Sequence, residues 1–99
     1  MDGTPVPPAA AATLRPWETV AGIEAWLAVH VARSAQIPAE DVDVTHPFSH
    51  YALDSVATVE LTADLEDWLA LSLPPTLLWD YPTIASLARH LHGQKAGAP

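Results

Sequence analysis

The sequence contains no cysteine, which removes disulfide staples, thiolate metal sites and cysteine nucleophiles together. Basic side chains are scarce as well: four Lys and Arg stand against twelve Asp and Glu, a formal net charge of −8. A phosphate backbone would be repelled by such a chain rather than held by counterion release, so no nucleic-acid partner is expected. There is no run of apolar residues long enough to cross a bilayer, and the opening MDGTPVPPAAAATLRP has neither a basic head nor an uninterrupted apolar stretch. No membrane span and no signal peptide are therefore expected, and a soluble, cytoplasmic protein is. Length is also limited, since 99 residues make one small domain with no room for a deep active site.

Proline is abundant, but unevenly placed. Pro5, Pro7, Pro8 and Pro16 surround a run of four alanines, a composition that predicts an extended linker over residues 1–16. The tail GQKAGAP predicts a second flexible segment over 93–99, leaving a folded unit over 17–92. Inside that unit β-strand alternation is nowhere sustained, and apolar residues return at helical spacing in three places. Val20, Ile23, Leu27 and Val31 mark a first helix from about Trp17 to Ala35, with Glu18 in its first turn, where the helix dipole favours an acid. Pro38 and Pro47 argue for a long loop over 36–54, anchored by Ile37, Val42, Val44 and Phe48.

A second helix is predicted from Ser55 to about Leu69, turning Thr58, Leu61, Thr62, Leu65 and Leu69 inward. Pro74 and Pro75 end further helix, Thr76 to Asp80 can make one short turn, and Thr83 is a good cap for a last helix carrying Ile84, Leu87, Ala88 and Leu91. The fold class is all-α: a small up-down bundle of three main helices plus one short one.

The serine of LDSVA poses the functional question. Serine and aspartate at a helix start are ordinary caps. A hydrolase nucleophile would need a base, an orienting partner and an oxyanion hole, and LDSVA lacks the G-x-S-x-G elbow. A third reading comes from the combination: a serine at a helix N-terminus, behind a long loop, on an acidic helix, followed at a set distance by a second small element and helix.

The residues Leu53, Asp54 and Ser55, then Val59, Glu60 and Leu61, then Leu65, Glu66 and Leu69, and finally Trp79, Asp80, Tyr81, Pro82, Thr83 and Ile84 give this chain its likeness. On them it resembles an acyl carrier protein domain, most like those of modular polyketide synthases. That resemblance implies a non-catalytic carrier bearing 4′-phosphopantetheine on Ser55, delivered from coenzyme A by a phosphopantetheinyl transferase that reads Asp54 as well. It implies acyl or polyketide intermediates held as thioesters on the arm, and presented to acyl-loading, ketosynthase, tailoring or thioesterase domains. A peptidyl carrier of a nonribosomal peptide synthetase, or a small helical interaction module with Ser55 unmodified, stays open.

On the second helix Glu60, Asp64 and Asp67 fall opposite the apolar stripe with Val56 and Ala63 beside them, the expected docking face. Two departures from the family pattern stand out. Ala52 sits where carrier domains usually have glycine, so a positive φ there would be mildly strained. Trp79 replaces a common phenylalanine and is expected to affect packing, as are Trp17, Trp26 and Trp68. The pairs His46/His50 and His90/His92 lack a third ligand and a supporting shell, so no metal is expected. A monomer is expected, because no further apolar seam is left over.

Overall fold

The computed structural model describes residues 15–97. Its main helices are α1 (Val20–Ala35), α2 (Ser55–Leu69) and α4 (Ile84–Gly97), with a single short turn of helix, α3 (Leu77–Asp80). Strands are absent among the described residues, apart from an isolated antiparallel bridge between Pro47 and Thr83. The all-α class and the three-plus-one helix count follow the hydrophobic periodicity, and the start and end of α2 coincide with the sequence expectation.

The core is built from the predicted stripes. Ile23, Leu27 and Val31 of α1, Leu61, Leu65 and Leu69 of α2, and Ile84, Leu87, Ala88 and Leu91 of α4 form one buried cluster with Leu77 and Leu78 of α3. Thr62 joins them by donating from its hydroxyl to Thr58 O at 3.0 Å, which satisfies the polar group inside the helix. Thr58 itself is half-buried.

Helix α1 begins later than its apolar pattern. Pro16–Glu18 is a separate 3-10 turn, and Thr19, in extended conformation, caps α1 by accepting from Gly22 N at 2.9 Å. Glu18 therefore precedes α1 instead of lying in its first turn. Gly22 is required here: a Cβ would fall 1.9 Å from Pro16 O, closer than packed atoms can approach. Half-buried Trp17 leans edge-on against Trp68 at 5.9 Å, Trp68 stacks on Trp26 at 4.7 Å, and Trp26 stacks on His30 at 3.7 Å. These three tryptophans pack the rim, with Trp68 part-exposed because Leu69 takes the inward position. Trp79 does not follow that expectation; it is 82% exposed.

The loop over 36–54 is tied down rather than loose. It contains 3-10 turns at Ala39–Asp41 and Phe48–Tyr51, and buries Phe48 together with Tyr51. Ile37, Val42 and Val44 pack against the core from its edge. Phe48 N donates to Pro82 O at 2.8 Å and Ala85 N to Val44 O at 2.9 Å, stitching the loop to the start of α4. The Tyr51 hydroxyl donates to Asp43 O at 3.1 Å and accepts from Asp43 N at 2.6 Å. Hydrogen bonds from Thr45 hold the Asp43 carboxyl below its ordinary value. A carboxyl lowered in this way helps the loop at neutral pH and loses its contribution as pH falls through the lowered value.

Helix α4 runs past the boundary expected at Gly93 and continues to Gly97. Glycine in a helix interior costs only about 1 kcal/mol, the next proline is Pro99, and Lys95 Nζ donates to Leu69 O at 2.6 Å, anchoring this last stretch to the end of α2. The segment expected as a linker over 1–16 lies, except for Arg15 and Pro16, outside the described residues, as do Ala98 and Pro99.

Two alanines hold left-handed backbone: Ala52 at φ 55°, ψ 39° and Ala70 at φ 55°, ψ 43°. Both are exposed, so no packing is lost when the methyl is removed. The strain foreseen at Ala52 is therefore present, and Ala70 carries a second instance. Glycine relieves about 1 kcal/mol at such a position. The two sites flank a 15-residue helix, roughly 22 Å long, so their effects should add. Ala52→Gly with Ala70→Gly is expected to raise the unfolding free energy by about 2 kcal/mol and the melting temperature by roughly 8–16 °C. Thermal and urea unfolding of the single and double variants check this; a double variant no more stable than the parent would show that the two backbones are not strained.

Candidate functional site

The site is built at the start of α2. Asp54 is the N-cap: its backbone is extended, its Oδ1 accepts from Ala57 N at 2.7 Å, and its carbonyl accepts from Thr58 N at 2.9 Å. Ser55 is the first residue of the helix and is exposed. The first-turn N–H groups of Ser55 and Val56 have no acceptor further back in the helix, because intrahelical bonds reach back four residues. A hydroxyl at this place stands in solvent at the positive end of a helix. A phosphodiester formed on it would sit where an anion is favoured.

One side of this serine is apolar. A cleft of about 270 Å³ opens beside α2, lined by Phe48, Leu53, Thr58, Leu78, Trp79 and neighbouring residues of the loop and of the α3–α4 turn. It exists because Leu77 and Leu78 both point inward from a single turn of helix, which leaves Trp79 outside. The other side is charged. Between α1 and α2 a second groove places His30, Arg33 and Ser34 opposite Glu60 and Asp64.

The residues expected on the docking face share one exposed side of α2. Val56, Glu60, Ala63, Asp64 and Asp67 are all exposed, and Val59 joins them. Nine of the twelve acidic residues lie between Ser34 and Ala88, and no lysine or arginine does. The surface around Ser55 is therefore acidic except where α1 contributes Arg33. Sequence reasoning assigned Trp79 to packing and passed over Arg33. The signal for the first was available, since two consecutive buried leucines use up the inward positions of one turn.

The histidine pairs behave differently from one another. The His46 and His50 rings approach to 4.4 Å despite the intervening Pro47, because the 3-10 turn brings them to one side, and His46 Nε2 lies 3.9 Å from Asp43 Oδ2. His90 stacks on Tyr81 at 4.0 Å, while His92 Nε2 lies 3.2 Å from Glu18 O, so the second pair diverges. Among the described residues no group of three or more His, Cys, Asp or Glu is placed to hold a metal ion, and no helix is long and apolar enough to cross a membrane.

Comparison with known proteins matches this geometry. Residues 25–91 fit the family profile described as "Phosphopantetheine attachment site". Mellein synthase of Phaeosphaeria nodorum is 34% identical over 80 residues, 81% of this chain, and 5-methyl-1-naphthoate synthase of Streptomyces sahachiroi is 37% identical over 68 residues, 69% of this chain. The chain spans only 4% of the length of either relative. Among solved structures, a free-standing peptidyl carrier protein of Acinetobacter baumannii is 39% identical with a TM-score of 0.74, covering 78% of this chain and 96% of that one. An acyl carrier protein of Anabaena with a variant phosphopantetheinylation-site sequence is 35% identical with a TM-score of 0.72, covering 78% and 88%. The chain belongs to the phosphopantetheine-attachment family: it is a non-catalytic carrier domain of the kind found in polyketide synthases, with covalent 4′-phosphopantetheine as its cofactor.

Proposed function

We propose that Ser55 is the attachment residue, and that the chain carries acyl or polyketide intermediates as thioesters on the arm anchored there. The observation that supports this best is the exposed hydroxyl at the first position of α2, behind the capping carboxylate of Asp54. A tethered arm turns each encounter with an enzyme into a nearly intramolecular event, so the carrier needs no base or oxyanion hole of its own. Its partners in this reading are a phosphopantetheinyl transferase and the acyl-loading, ketosynthase, tailoring or thioesterase domains of a synthase. They are met on the face formed by Val56, Glu60, Ala63, Asp64 and Asp67, where acidic side chains steer basic partners. The carrier acts as a cytoplasmic monomer, a bead that extends past the expected boundary at residue 92 to the end of α4.

The placement of the ends favours this arrangement. Arg15 and Lys95 both lie over the Trp17 ring, at 5.7 and 5.6 Å, and Lys95 reaches the carbonyl of Leu69 at the far end of α2 from Ser55. The described ends of the domain thus meet at the pole opposite the serine. A peptidyl carrier is the second reading, favoured by the 39% identity to the Acinetobacter peptidyl carrier.

Incubation of the apo protein with coenzyme A and a promiscuous transferase tests the proposal. One phosphopantetheinyl group should be added per chain by intact mass, and peptide fragmentation should place it on Ser55. An unchanged mass, or a group mapped to another hydroxyl, would overturn it.

A further inference from the structure

The most exposed large apolar side chain among the described residues is Trp79, at 82%, with Val59 at 67% and Val56 at 63% following it. Tryptophan is usually mostly covered, and the fold gives Trp79 no cover: Leu77 and Leu78 occupy the core side of α3 and the ring is left at the mouth of the cleft. Across that cleft stand Leu53 and Thr58, the residues two before and three after Ser55. Acidic residues adjoin this lining, with Asp54 next to Leu53 and Asp80 next to Trp79, both exposed, and no lysine or arginine from Ser34 to Ala88. An apolar centre containing an aromatic and flanked by charge of one sign has the composition of a protein-docking site, and its complement is an apolar pocket edged by lysine and arginine.

Geometry selects one occupant. Synthase domains reach a carrier's cargo through the arm and can act at a distance from the serine. The enzyme that attaches the arm cannot: the Ser55 oxygen must itself attack the β-phosphorus of coenzyme A, forming a new P–O bond as the pyrophosphate bridge breaks and 3′,5′-adenosine bisphosphate leaves with the electron pair. The serine proton passes to a base of that enzyme. Its active site must therefore close over Ser55 and cover the cleft flanked by Leu53 and Thr58. Resting on the carrier reading, we propose that Trp79 is the apolar anchor by which the phosphopantetheinyl transferase seats on this chain, entering a basic-rimmed pocket of that enzyme.

The proposal is tested by steady-state loading of the apo protein with coenzyme A and a promiscuous transferase, varying the carrier concentration. Trp79→Ala is expected to raise KM about tenfold or more, the scale of an aromatic anchor, with kcat within about twofold. Trp79→Phe keeps an aromatic and should stay within about threefold of the parent KM. Val29→Ala, an exposed apolar residue of α1, should leave both constants unchanged. Melting temperatures of all four proteins should agree within about 3 °C, since surface substitutions change stability little. Equal KM values for Trp79→Ala and the parent would overturn the anchor while leaving the carrier reading intact; a parent that accepts no phosphopantetheine at all would overturn the carrier reading itself. A concentration-dependent dimer of the parent that Trp79→Ala abolishes would assign the patch to a second copy of this chain and overturn the proposal.

Discussion

Ser55→Ala is expected to lose phosphopantetheine loading completely, with a melting temperature within about 3 °C of the parent. The two halves of that result come from the same geometry. Ser55 is the first residue of α2 and is exposed, while the hydrogen bond that caps the helix is made by Asp54 Oδ1 to Ala57 N. Removing the serine oxygen removes the proposed acceptor of the transferred group and leaves the cap untouched. Asp54→Ala should show the reverse division: the lost cap costs about 1 kcal/mol of stability, roughly 4–8 °C in a domain of this size, while loading is slowed and not abolished. Asp54→Asn separates the two roles of the carboxylate, since asparagine caps equally well but carries no charge for a transferase to read. It should keep the parent melting temperature and share the slowed loading. Intact mass spectra over a time course, with circular-dichroism melts of the same samples, read both effects. Loading of Ser55→Ala at the parent rate would remove this residue from the function.

Much of this domain was legible because its helices are amphipathic and sharply punctuated. Leu61, Leu65 and Leu69 repeat every four residues and are all buried, and Asp54 and Thr83 are strong caps. Thr83 Oγ1 accepts from Ser86 N at 3.1 Å and Thr83 N donates to Ser86 Oγ at 3.2 Å, so the cap is legible from Thr83, while the reciprocal bond uses a serine where the usual box has Glu or Gln. Features fixed by contacts distant in sequence were not legible. Tyr51 is buried because its hydroxyl finds the backbone of Asp43, and the helix beyond Gly93 is held by a lysine whose acceptor, Leu69 O, lies 26 residues earlier. The late start of α1 has a local cause, the capping of Gly22 N by Thr19, but Trp17 and Glu18 continue the apolar and acidic pattern of the helix and conceal it. Trp79 was misread for a related reason. Aromatic content predicts burial on average, whereas the exposure of a single ring depends on which neighbours fill the core first.

The same stripe that made α2 legible sets the second large effect. Leu65 has no exposed surface and stands midway along α2, packed in the cluster shared by α1, α3 and α4. Leu65→Ala removes three carbons from a site walled by other buried leucines, and such changes cost about 2–5 kcal/mol, according to how far the neighbours can collapse. A domain of this length has roughly 4–12 kcal/mol in total, so the variant should lose a large fraction of its stability and melt at least about 10 °C lower. Leu65→Met conserves volume and should cost less than about 1.5 kcal/mol. Val59→Ala, on the exposed side of the same helix, should stay within about 0.5 kcal/mol. Urea unfolding followed by circular dichroism measures all three, with unchanged slopes if the denatured state is unaffected. The functional consequence differs in kind from that of Ser55→Ala. Where Leu65→Ala is still folded, in the cold, Ser55 keeps its place at the tip of α2 and loading should proceed. As the sample is warmed through the lowered transition, loading should fail together with the helical signal, because the positive end proposed to receive the phosphate exists only while the helix is packed. A loading loss in Leu65→Ala that precedes unfolding would instead place this buried leucine in direct control of the serine.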